Sequence, residues 1–358
     1  KYVFTAIVIP SIAVWFTACK NSQDTISPAE TKVEIKKDEY FTFKDLKVRK
    51  PTGVPEAVFS DNEEKYLSFV KTYLGKINSS SRTAVELFSD IDYVPIIELI
   101  RTQRANYPEF SIEGKVLDNK SFEAIKKDFP DIKLKDDVFK NSDAIISYYN
   151  ALLRFDILIK LNQVKKGAKR LNYNNFGNPR ESFMASLYPM AALQVYNASF
   201  DATDYTNSTF YQGAADENDN EKNAFKHSVW NAISVRKCIN VGYSKSNALD
   251  YVTLLCSAHE YDSSGNVVHN IGSAMDFHNN MIGRSYMEAN TGWGAFGLRS
   301  MPSESDIVNT MYSRSSSNIQ TKTTEGQILS IYDSNTSQAW YYIEAWSWNY
   351  PSYLIKII

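Results

Sequence analysis

Apolar side chains recur every three or four residues along much of the chain, which is the spacing of one face of an α-helix. The stripe is longest between Ile145 and Leu161, and either Ser142 or Asp143 can act as the N-cap in front of it. In the first half of the chain, the pattern predicts helices over 66–77, 84–88, 94–100 and 142–165, with a break near Pro95.

The helical pattern resumes after a turn-rich segment, Asn172–Pro179, which is the best candidate for a domain boundary. Gly242 is placed to end a helix in the left-handed conformation, and Ser244 or Ser246 can cap the next one. In this part of the chain we expect helices over 182–197, 221–239, 244–258 and 273–288.

Two segments lack helical spacing. Residues 20–58 are polar and charged and predict a flexible tether, whereas the chain after 300 is rich in Ser and Thr and ends in an aromatic cluster at Ala339–Trp348. The aromatic cluster predicts a strand pair or an amphipathic edge that packs on the core. The predicted fold is mainly α: an accessory helical domain (59–172), a helical bundle domain (181–300) and a small aromatic C-terminal segment (301–358) that could form β-strands.

The first residues have the features of a targeting segment. An apolar run from Val3 to Phe16 is too short to span a bilayer comfortably, and it ends in Phe16-Thr17-Ala18-Cys19, which resembles a bacterial lipobox. That resemblance implies a signal peptide over 1–18, cleavage before Cys19 and acylation of Cys19. We therefore expect a cell-envelope lipoprotein that is held to the membrane by lipid, and Lys20 favours the outer membrane.

Charge and cysteine content narrow the function classes. Lys and Arg number 39 against 41 Asp and Glu, for a net charge of −2, so the sequence gives no electrostatic indication of nucleic-acid binding.

The two cysteines after Cys19 are not expected to form a disulfide. In an antiparallel hairpin that turns near Gly242, Cys238 and Cys256 lie about 15 Å apart along the helix axes. A disulfide needs Cα atoms within about 7 Å. Separate buried thiols are therefore expected.

The candidate chemistry lies in the four histidines, all of which occur between His227 and His278. In the same hairpin, His227 and the pair His259-Glu260 fall within roughly 3 Å of one level, and a short loop then brings Asp276 to that end. Residue spacing alone therefore predicts that three separate clusters converge at one end of a helical bundle. His269 and His278 are interpreted as structural or surface residues.

The polar neighbours of these residues follow helical spacing. Asn231 is one turn after His227, with Trp230 beside it, and Asn279, Asn280 and Arg284 follow Asp276 on the third helix. Because adjacent helical residues point about 100° apart, at most one of His259 and Glu260 can face His227. We expect Trp230, Asn231, Asn279, Asn280 and Arg284 to bind substrate.

Three interpretations of the cluster remain open. His227, His259, Glu260 and Asp276 could ligate a divalent metal such as zinc, although the His-Glu-x-x-His pattern is missing. The same four residues could act without metal as a general base, an acid and an orienting carboxylate. Alternatively, the polar groups could bond one another inside the bundle and only fix its structure.

Three motifs in this region carry a resemblance: Asn223-Ala224-Phe225-Lys226-His227-x-x-Trp230-Asn231, His259-Glu260, and Met275-Asp276-x-x-Asn279-Asn280-x-x-Gly283-Arg284. In this order they resemble an uncharacterised bacterial domain family with the pattern Asn-Ala-Phe-Arg/Lys-His-x-x-Trp-Asn, His-Glu and Met-Asp-x-x-Asn-Asn-x-x-Gly-Arg. Lys226 stands where arginine is commoner. The resemblance covers about Glu181 to Arg299 and implies that these are signature positions, but it supplies no reaction.

Together these patterns predict an envelope lipoprotein whose bundle domain is a hydrolase of an envelope-derived substrate. In this hypothesis His227 or His259 is the general base, Glu260 the acid or a ligand, and Asp276 the orienting group or a ligand. The alternative is a non-catalytic binding or scaffold lipoprotein in which the polar cluster fixes helix register. The sequence names neither the substrate nor the bond cleaved.

Overall fold

The computed structural model describes residues 39–60, 63–73, 92–165, 178–210, 220–262, 266–293, 299–345 and 352–357. The mainly α fold is confirmed, since these residues contain thirteen α-helices and three two-stranded sheets. Residues Glu39–Ile358 form one compact unit. The predicted signal peptide and the lipobox at Cys19 lie outside the described residues, as does most of the predicted boundary at 172–179.

The helices have the following bounds. In chain order they are α1 (Glu63–Tyr73), α2 (Tyr93–Arg104), α3 (Asn119–Asp128), α4 (Lys135–Lys140), α5 (Ser142–Lys165), α6 (Pro179–Leu187), α7 (Pro189–Thr209), α8 (Glu221–Asn240), α9 (Lys245–Ser257), α10 (Ile271–Asn290), α11 (Glu304–Ser317), α12 (Glu325–Leu329) and α13 (Thr336–Ala345). The strands are β1 (Tyr40–Phe43), β2 (Leu46–Arg49), β3 (Gly292–Trp293), β4 (Arg299–Ser300), β5 (Ile319–Lys322) and β6 (Leu354–Ile357).

The predicted tether is wrong over residues 40–49, where β1 and β2 form an antiparallel hairpin. Its turn residues Lys44 and Asp45 both have positive φ, as a two-residue hairpin turn requires. Phe43 and Val48 from the hairpin are buried in the main core. The alternation that places them there covers only four residues in each strand, so surrounding charges conceal it in the sequence. Val58, at the end of the predicted tether, is also fully buried, and the part of the tether before Glu39 lies outside the described residues.

The helices of the first half largely follow the apolar spacing. α1 and α5 occur where the pattern predicts them, whereas the segment 84–88 lies outside the described residues. Pro95 does not break a helix, because it lies in the first turn of α2, where its missing N–H group has no partner to lose. The short helices α3 and α4 were not predicted.

The single helix expected over 182–197 is two helices, α6 and α7. The chain bends at Tyr188, which has a non-helical backbone, and Pro189 then begins α7. Proline disfavours helical geometry in the residue before it and lacks an N–H group, so it ends one helix and begins the next.

Helices α7, α8, α9 and α10 are the centre of the molecule. The turn between α8 and α9 occurs as predicted: Gly242 has φ of 121°, and the Ser244 side chain caps α9 by accepting from the Asn247 N–H group. α8 and α10 pack at very short range, because a Cβ atom on Gly283 would lie 2.1 Å from the carbonyl oxygen of Ser228. That close approach brings the polar faces of the two helices together.

The C-terminal segment packs against α10. Trp340 of α13 is buried beside Phe277, while its neighbour Tyr341 is exposed. The described part of the aromatic cluster is therefore an amphipathic helix that packs on the core, which agrees with the second of the two predicted alternatives and not with the strand pair. The strand occurs later, where β6 pairs in parallel with β5. Trp346 and Trp348 lie outside the described residues.

Two further expectations concern the cysteines and the membrane. Cys238 and Cys256 are separate buried thiols, as the hairpin geometry predicts. Within the ranges that the structure describes, none of the helices combines the length and the apolar character needed to cross a bilayer.

Candidate functional site

Three elements bring one histidine and two carboxylates to a single point. His227 lies on α8, Glu260 ends a 3₁₀ turn (Ala258–Glu260) that follows α9, and Asp276 lies in the second turn of α10. The His227 Nε2 and Asp276 Oδ1 atoms are 3.3 Å apart, and one ligand atom from each of the three residues lies within 4.8 Å of the others. The structure thus brings together the three elements that residue spacing places at one end of the bundle.

Helix caps fix the position of these residues along the chain. The side chain of Asn220 caps α8 seven residues before His227, and the side chain of Asn270 caps α10 six residues before Asp276. The contact between Gly283 and Ser228 then fixes how closely the two helices approach. Local capping and one glycine therefore set the spacing of the site.

A chain of buried amides fixes the protonation of the His227 ring. Arg284 donates to the Asn231 side-chain oxygen at 2.7 Å, so the nitrogen of that amide must point the other way and donates to Asn280 Oδ1 at 2.6 Å. Asn280 Oδ1 is therefore an acceptor, and it lies 3.0 Å from His227 Nδ1. The hydrogen of the neutral imidazole must consequently be on Nδ1.

The tautomer has a direct consequence for the other ring nitrogen. Nε2 of His227 carries a lone pair and faces Asp276 Oδ1, which is also an acceptor. Glu260 adds a third group, since its buried Oε1 atom accepts no hydrogen bond from a described residue. These three groups therefore converge, and neither Nε2 of His227 nor Oε1 of Glu260 accepts a hydrogen bond from a described side chain.

Burial shapes the charge of the same three groups. It lowers the pKa of His227 to about 4, so the ring is neutral near pH 7. Burial, reinforced by the negative charge of Asp276, raises the pKa of Glu260 to about 7. The His227 shift is due to burial, whereas the Glu260 shift also reflects the like charge of Asp276.

His259 bonds Glu181, a residue that the sequence analysis did not include. Its Nδ1 lies 3.0 Å from Glu181 Oε1, and the hydrogen bond with that carboxylate raises the pKa of His259 to about 9. The His259 side chain is 54% exposed, whereas that of Glu181 is 10% exposed. The sequence contained a signal for Glu181, because Asn178-Pro179-x-Glu181 has the form of a capping box, and α6 begins with that box.

Trp230 forms the wall between the two histidines. Its ring meets those of His227 and His259 edge to face, with centroids 6.1 and 5.8 Å away. The indole N–H group donates to the backbone oxygen of Val195, so Trp230 offers a ligand its ring surface and not a hydrogen bond.

The amides and the arginine expected to bind substrate have internal partners. Asn231, Asn280 and Arg284 are fully buried and act on His227 through the hydrogen bonds described above. Asn279 is not part of the cluster: its buried amide bonds both the N–H group and the carbonyl of Ile355. Asn231, Asn280 and Arg284 thus orient one another behind His227, whereas Asn279 holds Ile355, and contact of these residues with substrate stays a prediction.

His278 and His269 lie outside the centre. His278 is fully buried and bonds the hydroxyl of Tyr332 and the carbonyl of Tyr353, while His269 stacks on Trp340 at the surface. Both have partners in the C-terminal segment.

The residues present fit a divalent cation. One imidazole nitrogen and two carboxylate oxygens are a donor set found in metal sites that keep a position open for water or substrate. Two carboxylates balance a charge of +2. The lone pair on Nε2 and the orphaned Oε1 of Glu260 are both satisfied by a cation and by no described side-chain donor.

Comparison with known proteins locates the same region. No curated protein and no solved structure matches the chain. Residues 182–318 match a family model described as "Domain of unknown function (DUF6973)", and the matched segment contains His227, Glu260 and Asp276. Over these residues, the chain is therefore similar to an uncharacterised domain family.

Proposed function

We propose that this protein is a metal-dependent hydrolase whose centre is formed by His227, Glu260 and Asp276. One observation carries the proposal: the buried amides fix the hydrogen of His227 on Nδ1, so Nε2 and two carboxylates converge as three acceptors. A closed structural cluster would place a donor against Nε2 of His227 and against Oε1 of Glu260. A divalent cation supplies the missing positive charge.

Each residue has a distinct part in the proposed site. His227, Glu260 and Asp276 bind the cation, and a cation held in this way polarises the scissile bond and lowers the pKa of a water molecule. Asn280, Asn231 and Arg284 hold the His227 ring in its binding orientation from behind. Trp230 and His259 line the exposed side, where the half-exposed His259 ring can bond the substrate beside the centre.

Partial exposure supports a reactive site over a sealed one. The side chains of His227 and Asp276 are 12% and 16% exposed, although the Asp276 Oδ1 atom that faces His227 is itself buried. The amides behind them have no exposure. The cluster thus has a partly exposed side, which a substrate could approach, and a buried side, which holds the His227 ring in place.

Metal analysis of the purified full chain, combined with a panel of chromogenic esters, phosphoesters and amides, tests this function. We expect about one tightly held divalent ion per chain and hydrolysis of at least one substrate class. Hydrolysis should disappear with a chelator, return with zinc or manganese, and be lost in Glu260→Gln. The matched control Asp204→Asn changes an exposed carboxylate away from the site and should keep full activity. A chain that binds no metal and hydrolyses none of the substrates contradicts the proposal.

A second function is favoured by a specific observation, the complete burial of Asn231, Asn280 and Arg284. In a scaffold lipoprotein, this cluster would only fix the register of α8 against α10. His227→Ala and Asp276→Asn would then lower the free energy of unfolding without affecting metal content or turnover. Measurement of stability and activity on the same samples separates the two functions.

We also propose that the protein is anchored in the cell envelope, in the outer membrane, through lipid on Cys19, and that its substrate derives from the envelope. The support is the apolar run that ends in Phe16-Thr17-Ala18-Cys19. Metabolic labelling with a palmitate analogue should modify the full chain and not Cys19→Ser. Equal labelling of the two, or labelling of neither, contradicts the anchor.

A further inference from the structure

A partly open cavity lies away from the proposed metal centre. It has a volume of about 270 Å³ and is bounded by the β1–β2 hairpin, α5, the bend between α6 and α7, and α9. None of the residues that line it belongs to the cluster of His227, Glu260 and Asp276. The volume corresponds to about nine water molecules, which is room for one small ring and not for an oligomer.

One wall of this cavity is aromatic. Tyr188 and Tyr251 stack with ring centroids 4.6 Å apart, and Tyr243 meets Tyr251 edge to face at 5.1 Å. All three tyrosines line the cavity. Such a wall combines apolar ring surface with hydroxyl groups, and it suits a ligand with both C–H and O–H groups.

Two asparagines bring unused hydrogen-bonding atoms to the same cavity. Asn150 is 7% exposed, and its oxygen accepts from the Met190 N–H group while its amide nitrogen has no partner among the described residues. The nitrogen of Asn247 bonds Asp143, whereas its oxygen has no partner among those residues. The cavity wall therefore offers one amide donor and one amide acceptor.

The charged groups beside the cavity are already engaged. Lys44 lies 3.6 Å from Asp143 and donates to Ser147, so its charge is compensated. Arg154 lies over the ring of Tyr66 and donates to the carbonyl groups of Val58 and Ser60. This arrangement favours a neutral polar ligand over an anion.

We propose that the cavity is a binding site for a neutral monosaccharide. Hydroxyl groups both donate and accept, so one sugar ring can satisfy the Asn150 nitrogen and the Asn247 oxygen together. Its C–H face packs on the tyrosine wall. The site is separate from the proposed metal centre, and its occupancy does not depend on the proposed hydrolysis.

Sugar binding to the full chain tests the proposal, with isothermal titration and saturation-transfer NMR as readouts. The probes are glucose, galactose, N-acetylglucosamine and the anionic glucuronate. We expect saturable binding of at least one neutral sugar with Kd below about 1 mM. Ala151→Leu fills the cavity and should abolish binding, whereas Ala105→Leu, a matched change on an exposed residue, should leave it unchanged.

A second variant tests the cavity independently, in case Ala151→Leu does not fold. Asn247→Ala removes the unused oxygen from a half-buried position and should weaken binding about tenfold. The proposal is overturned if the unmodified chain binds no neutral sugar, if only glucuronate binds, or if both cavity variants bind as tightly as the unmodified chain.

Discussion

At the residue scale, the site depends on side chains that are fully buried. Arg284 orients Asn231, Asn231 orients Asn280, and Asn280 fixes the hydrogen of His227. Each asparagine amide has an oxygen that accepts and a nitrogen that donates. The orientation that Arg284 imposes on Asn231 therefore determines the orientation of Asn280, and Asn280 in turn determines which nitrogen of His227 carries the hydrogen. The buried groups thereby determine which nitrogen of His227 faces the carboxylates.

Asn231→Ala tests this chain of hydrogen bonds. Since Asn231 is fully buried and bonds Asn280 and Arg284, we expect its loss to lower the free energy of unfolding by about 3 kcal/mol. Zinc affinity should fall about tenfold to a hundredfold, as for other residues that orient metal ligands. Urea denaturation and zinc titration measure the two effects. Asn106→Ala, at an exposed position, is the matched control, and a similar result for both variants contradicts the assigned role.

His278 predicts a pH dependence of stability. Burial lowers its pKa from 6.5 to about 4, so the unfolded chain takes up a proton at higher pH than the folded chain. The stabilisation is complete above pH 6.5 and is lost as the pH falls toward 4. This group contributes a loss of about 2 kcal/mol between pH 7 and pH 5, so the loss measured by urea denaturation over that range should be larger by that amount in the unmodified chain than in His278→Gln. Equal losses in the two proteins would refute the assignment.

At the element scale, the site depends on how closely α8 and α10 approach. Gly283 allows contact with the Ser228 carbonyl, and the same two helices carry His227 and Asp276. Helix packing and ligand spacing are therefore one structural feature, since any separation of the helices also separates the ligand atoms.

Gly283→Ala should force these helices apart. Its Cβ atom would lie 2.1 Å from a backbone oxygen that cannot rotate away, so we expect a loss of about 3 kcal/mol in unfolding free energy and weaker zinc binding. Gly326→Ala is the control, because a Cβ atom there meets nothing within 4 Å. Urea denaturation of both variants gives the comparison, and equal stability would show that α8 and α10 do not set the site.

At this scale, the sequence predicted the elements that have a long apolar stripe or a clear turn or capping residue. The helices that carry the site follow from apolar spacing, and the turn at Gly242 and the cap at Ser244 follow from residue type. The hairpin at 40–49 escaped prediction because only four residues in each strand carry the alternation. The bend at Pro189 was missed because apolar residues continue through it.

The site itself could be predicted only in part. The rise per residue of an α-helix predicted that His227, Glu260 and Asp276 lie at a similar height along the bundle. It did not predict whether His259 or Glu260 points toward His227. That choice depends on Glu181, which holds His259 from another helix. The burial of the asparagines likewise depends on packing between elements distant in sequence.

At the scale of the whole molecule, the C-terminal segment completes the bundle that carries the site. β6 is held to α10 by the Asn279 amide, which bonds the N–H group and the carbonyl of Ile355. Lys356 lies 3.3 Å from Glu221, at the first residue of α8. Both helices that hold the metal-binding residues are thus tied to the end of the chain.

Asn279→Ala should weaken the attachment of β6 to α10. Loss of two buried hydrogen bonds is expected to cost about 2 kcal/mol and to speed hydrogen exchange at the Ile355 amide. Asn318→Ala, at an exposed helix end, should change neither quantity. Unchanged exchange at Ile355 in Asn279→Ala would contradict this account of the C-terminal segment.

The central claim is that His227, Glu260 and Asp276 bind a divalent cation, and calorimetric titration of the metal-stripped full chain with zinc tests it most directly. We predict one class of site with about one ion per chain, affinity reduced at least about a hundredfold in Asp276→Asn, and no change in Asp204→Asn. An unmodified chain that binds no zinc or manganese, or an Asp276→Asn variant that binds them as tightly as the unmodified chain, would contradict the account.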